Sequence, residues 1–181
     1  MKTVSPAGPS PRWHTIAAVG FLDRLRGRTE PDTRDDGDWF TLCAASIQSV
    51  VGESGYQPCL DKTVRGATPT PPFPLDKWPR DISQEEGLPW FAAYLQREPD
   101  NPYDTNAVAV SSQHGIVGYL PRERAKAYGK VLELLESQGH RRAACPAFAR
   151  RADNGMWGVV LALSSSRDCM SYVKADKTFR S

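Results

Sequence analysis

The sequence predicts a mainly β fold with one or two helices, and three observations carry that reading. Apolar residues alternate with period two on either side of strong turn signals, one long stretch repeats its apolar residues at helical spacing, and proline-rich or charged stretches fence these elements off. A chain of 181 residues suits one domain with unstructured ends. The organisation that follows is a polar, Pro-rich N-terminal tail over 1–38, expected to be disordered, a mainly β domain over 39–163 with a Pro-rich insertion at 66–89, and a flexible C-terminal tail over 164–181.

Within the tail, the apolar run Ile16–Leu22 reads either as a transient helix or as a docking segment. Trp39 to Val51 is the next apolar segment, and Ile47, Val50 and Val51 favour a strand ending at Gly52. Glu53-Ser54-Gly55-Tyr56 predicts a turn, and Gln57 to Val64 one or two helical turns. From Gly66 to Pro89 six prolines exclude helix and central strand; Phe73, Lys77, Trp78 and Arg80 there read as ligand contacts or as a flap laid on the domain. Trp90 to Leu95 reads as a buried strand.

The most legible stretch runs from Arg97 to Leu120. Asn101-Pro102-Tyr103-Asp104 favours a type I turn, because Pro102 presets φ and the Asn101 side chain can bond the backbone ahead of it, placing Tyr103 at the tip of a rigid loop. Thr105 to Val110 alternates, with Val108 and Val110 on one face and Ala107 and Ala109 on the other. Gln113-His114-Gly115 turns the chain, and Gly115 to Leu120 returns as a second strand. Between Pro121 and Gly139 lies a helix whose apolar face is Ala125, Tyr128, Val131, Leu132 and Leu135, and whose Arg122, Lys126 and Lys130, four apart, share another face. That basic stripe reads as a solvated face or as a phosphate grip. Arg141–Ala149 and Gly155–Leu163 predict a last strand pair turning through Asp153-Asn154-Gly155.

A net charge of +2 argues against a broad nucleic-acid-coating surface, so any such contact is local; the segment 121–155, with eight bases against four acids, is the positive part. Cys43, Cys59, Cys145 and Cys169 are scattered without a C-x-x-C pair, which speaks against structural zinc and fits a reducing, cytoplasmic setting. No signal peptide, membrane span, phosphate-binding loop or helicase motif is read. Exposed aromatics beside a barrel's loop mouth suit single-stranded nucleic acid, with Tyr103, Tyr56 and Tyr119 as stacking platforms; Tyr56 reads equally as a cap over the core.

The run Arg97-Glu98-Pro99-Asp100-Asn101-Pro102-Tyr103-Asp104-Thr105-Asn106-Ala107-Val108, with Val117-Gly118-Tyr119-Leu120-Pro121, resembles the signature of the HIRAN domain, and Val50 to Gln57 resembles that family's first strand and the turn leaving it. The similarity spans roughly residues 42 to 163. It implies a small OB-like/SH3-like mixed β-barrel and a non-catalytic module, without cofactor or metal, that binds single-stranded DNA, including 3′ ends. Such a module would serve DNA repair or replication restart beside a helicase or nuclease acting in trans. By resemblance Tyr103 lines the pocket for a terminal nucleotide and Asp104 accepts from its 3′-hydroxyl, with Asn101, Tyr56, Tyr119, Arg122 and Lys126 completing the expected nucleic-acid-binding set. Where remodeller relatives carry basic and aromatic residues after the first strand, Gly52–Tyr56 has one tyrosine and an acid. Two rivals stand beside this reading: a protein-interaction adaptor that uses the Pro-rich insertion and tail with the barrel as scaffold, and a metal-dependent nuclease built on Glu98, Asp100 and Asp104.

Overall fold

The computed structural model describes residues 39–42, 44–73 and 87–175; the N-terminal tail, most of the Pro-rich insertion, Cys43 and the last six residues lie outside the described residues. Among the described residues seven strands and three α-helices follow in the order β1 (Trp39–Thr41), β2 (Ile47–Ser49), a 3-10 turn (Glu53–Tyr56), α1 (Gln57–Arg65), β3 (Trp90–Arg97), β4 (Val108–Ser112), β5 (Gly115–Tyr119), α2 (Arg122–Ser137), β6 (Arg142–Arg151), β7 (Trp157–Ala162) and α3 (Ser166–Ala175). The fold is mainly β, as expected, with one helix more than the sequence suggests.

All strands join one sheet in the order β2-β7-β6-β3-β4-β5, with β1 parallel to the start of β6. The sheet curls until its ends meet. Val51, just beyond β2, exchanges two backbone hydrogen bonds of 2.9 Å with Tyr119 of β5, while Val50 donates to Val159 of β7 at 3.1 Å. One short seam thus closes the barrel. β6 carries Pro146 without interrupting the ladder, because β1 pairs β6 only as far as Ala144 and β7 begins pairing at Ala147. The residue that lacks an N–H falls in the gap between two partners.

Period-two alternation fills the interior: Phe91, Ala93 and Leu95 from β3, Val108 and Val110 from β4, and Ala143, Cys145, Ala147 and Ala149 from β6 share the core. Burial pushes the Cys145 thiol up to about 12, so it stays a neutral apolar filler. The apolar stripe of α2 lies on the same core with the five residues its spacing predicts, and the helix ends where expected. Gly139, at φ +94°, donates to Glu136 at 3.1 Å and His140 donates to Leu135 at 3.0 Å.

Several boundaries differ from expectation, among them the segment from Trp39 to Val51, which forms two short strands, β1 and β2. β4 begins at Val108, not Thr105, because Asp104 captures the Asn106 N–H and holds that stretch in a turn. The reading of 164–181 as a flexible tail is corrected over 166–175. There α3 docks Cys169 and Val173 into the core, and Asp168 and Ser165 bond each other at its start. The described ends of the Pro-rich insertion are pinned to the sheet, with Thr68 and Trp90 exchanging backbone bonds of 2.9 and 2.8 Å and Leu88 buried against Trp90 and Phe148.

Candidate nucleic-acid interface

The loop between β3 and β4 is self-bonded from end to end. Glu98 N–H donates to Ala107 O at 2.9 Å and closes its base. Asn101 is buried, donating its N–H to Glu98 O at 3.0 Å and its Nδ2 to the Glu98 carboxylate at 2.9 Å, while its Oδ1 accepts from Tyr103 N–H at 3.0 Å. Asp104 repeats the device: its Oδ1 accepts from Asn106 N–H at 2.9 Å and its main-chain carbonyl from Ala107 N–H at 2.9 Å. Two successive side-chain-closed turns, with Pro102 fixing φ inside the first, leave the backbone little freedom. The consequence is a ring held out: Tyr103 is 42% exposed although Asn101, two residues before it, is 4% exposed.

α2 supplies the opposite wall. Arg122 Nε donates to Asp104 Oδ2 at 3.0 Å, and its Nη2 reaches Tyr103 O at 3.5 Å. The Arg122 side chain is exposed, so this pair orients more than it stabilises, at most about 1 kcal/mol. The Asp104 carboxyl is held below its ordinary value, first by the Asn106 amide and then by the Asn106 side chain and Arg122, so it is a carboxylate at neutral pH. Between the loop and α2 lies an open hollow of about 500 Å³, lined by residues 101–106 on one side and Arg122 and Lys126 on the other.

Five of the seven residues singled out from the sequence, Asn101, Tyr103, Asp104, Arg122 and Lys126, therefore come together at one hollow. The side chain of Asn101 serves the turn. Tyr56 and Tyr119 form a second group on the outer face of the barrel, their rings 6.3 Å apart, packed with Ala107, Ala109 and Ile116. Ala107 adjoins Asn106, so this group borders the hollow without lining it. Two features were not legible. Glu53, read as part of a turn, points its carboxylate into the sheet, where it accepts from Val159 N–H at 3.3 Å. Trp157, read as a strand residue, carries the Arg151 guanidinium at 4.4 Å from its ring centre and donates Nε1 to Asp61 at 3.0 Å. Alternation alone could not show that its ring lies at the strand's end against α1.

Of the acids once grouped as a metal site, Glu98 accepts from Asn101 and Asp104 from Arg122 and Asn106, and among the described residues no group of three or more metal-ligating side chains forms. No helix among them is long and apolar enough to cross a membrane.

Comparison with known proteins agrees with the signature. A 40-residue stretch is 50% identical to the helicase-like transcription factor of Oryctolagus cuniculus; it makes up 22% of this chain and 4% of that protein, so the chain spans a small fraction of this relative's length. Among solved structures, the HIRAN domain of human HLTF is similar with a TM-score of 0.33 and 20% identity, over 70% of this chain and 83% of that one. A Lactobacillus plantarum protein is similar with a TM-score of 0.36 and 24% identity, over 66% and 95%. The profile of the HIRAN domain family matches residues 92–154, from β3 through the self-bonded loop and α2 to the β6–β7 turn, and this chain accordingly contains a HIRAN domain.

Proposed function

We propose that the hollow between the 98–107 loop and α2 binds single-stranded DNA and receives the strand's free 3′ end. The observation that carries the reading is the outward Tyr103 ring beside an ionised Asp104, with Arg122 and Lys126 across an open hollow. A base stacked on an exposed aromatic gains about 1–3 kcal/mol whatever its identity. A carboxylate offers about four acceptor positions, and Asn106 and Arg122 leave one of those on Asp104 for a further donor. A terminal 3′-hydroxyl supplies that donor. An internal phosphodiester supplies none and is repelled by the carboxylate, while the phosphate on the 5′ side of the end nucleotide faces the cations of α2. The domain acts here as a non-catalytic accessory module in DNA repair or replication restart, presenting strand ends to a helicase or nuclease in trans. The presence of a HIRAN domain in a helicase-like transcription factor supports this placement.

Fluorescence anisotropy with oligonucleotides ending in a 3′-hydroxyl or a 3′-phosphate tests both halves. The 3′-hydroxyl strand binds more tightly, and Tyr103→Ala weakens it by about 1–3 kcal/mol, roughly 5- to 150-fold. Equal affinity for the two strands removes end recognition. No binding to either at low salt removes nucleic acid as the ligand.

A further inference from the structure

The positive wall of the hollow does not stop at its rim. Arg122 and Lys126 line the hollow, and Lys130 follows four residues later on the same exposed flank of α2. Four residues advance a helix by about 6 Å with only about 40° of rotation, so the three cations form a slowly turning row leading away from Asp104. The helix is locked against rolling by its buried stripe and by Tyr128, whose hydroxyl donates to Ser164 O at 2.6 Å. The acids that could neutralise the far end of the row are drawn elsewhere: Arg97 binds Glu133 at 3.1 Å and Glu136 at 2.9 Å. Among the described residues neither Lys126 nor Lys130 makes an ion pair, and the remaining acid of the helix, Glu123, lies in its first turn.

We infer that a strand whose end occupies the hollow leaves it along α2, with successive phosphates meeting Arg122, Lys126 and Lys130. This rests on the hollow taking a nucleic-acid end, and it adds a direction and a minimum size. The ligand is an oligonucleotide with at least three phosphates, not a free nucleotide, and Lys130, outside the hollow, is a contact residue. The 6 Å step between the cations is comparable with the spacing of successive phosphates on an extended strand, so each cation can serve one phosphate.

The salt dependence of binding reads this count. Each phosphate neutralised on a single strand adds about 0.7 to the slope of log affinity against log salt, so between 50 and 200 mM salt one contact changes affinity about threefold. With a six-nucleotide strand ending in a 3′-hydroxyl, Lys130→Ala lowers the slope by about 0.7. The same substitution leaves a dinucleotide, too short to reach it, unaffected. Arg124→Ala, on another face of α2, leaves both slopes unchanged and controls for overall charge. An unaltered slope in Lys130→Ala, while Tyr103→Ala still weakens binding, overturns the path along α2 and leaves the hollow standing. Equal losses in the Lys130 and Arg124 variants overturn it as well, since charge alone would then explain both. If the unsubstituted chain binds no oligonucleotide, the reading of the hollow falls, and the path with it.

Discussion

At the corner after β2, Glu53 and Gln57 turn their side chains into the sheet. Gln57 Oε1 accepts from Trp157 N–H at 2.8 Å and its Nε2 donates to Trp157 O at 2.9 Å, the exchange a neighbouring strand would make, while Glu53 takes the N–H of Val159. In the 98–107 loop, Asn101 and Asp104 make bonds of the same kind, but nearly all to their own loop. The first bend is thereby drawn into the barrel, and the second is held off it with one ring and one carboxylate oxygen facing outward. The two acids record the difference: desolvation raises the pKa of Glu53 against its two backbone bonds, whereas local donors lower that of Asp104. A carboxylate suited to meet a ligand is one already charged and aimed by its own loop; a carboxylate that caps a strand's N–H at the corner is one drawn partly out of solvent.

The largest effect comes from breaking the seam itself. Gly118 lies beside it at φ +154°, and a Cβ there would meet Val50 Cγ1 and, at 2.7 Å, the carbonyl oxygen of Val51. The second of these is backbone and cannot swing away. Gly118→Ala should therefore cost about 3 kcal/mol in equilibrium urea unfolding, the cost of forcing a methyl into a packed site. A loss of only a few tenths would mean that the barrel is not closed where Val51 meets Tyr119.

A smaller loss separates the roles within the loop. Asn101→Ala removes a buried acceptor and donor and should lower stability by about 1–2 kcal/mol, and it should weaken oligonucleotide binding too, because Tyr103 then loses the bond that holds its backbone. Tyr103→Ala should weaken binding alone. If Asn101→Ala unfolds more easily yet binds as tightly as the unsubstituted chain, the turn does not aim the ring and the contrast between the bends loses its functional half.

Local patterns made much of this legible. The β4–β5 hairpin and α2 follow from alternation and from three- and four-residue spacing, and Asn101-Pro102-Tyr103-Asp104 announces a rigid turn with a displayed ring. The seam is different: Val51 and Tyr119 are far apart in the chain, and nothing in either stretch marks the other as its partner. α3 was missed because it buries only Cys169 and Val173 within a polar stretch, a face too narrow to stand out. Tyr56 and Tyr119 could be recognised as aromatic, but only folding turns them toward each other and away from the lining of the hollow.

The smallest effect opposes the two carboxylates most directly. Because the folded chain raises the Glu53 pKa, it holds that proton where the unfolded chain has released it. The stabilisation is complete below the ordinary value of 4.5 and is lost as pH rises through the raised value. In Glu53→Gln the Oε1 can still accept from Val159 but the titration is gone, so melting experiments should show the variant gaining on the unsubstituted chain from about pH 4.5 upward. Asp104→Asn should behave with the opposite sign. Its stabilisation is present above the ordinary value of 3.8 and disappears as pH falls through the lowered folded value, so the unsubstituted chain's advantage over that variant shrinks in acid. Parallel pH profiles for the two variants would mean that the two bends treat their acids alike, and the distinction between a sealed corner and an open mouth would have no electrostatic basis.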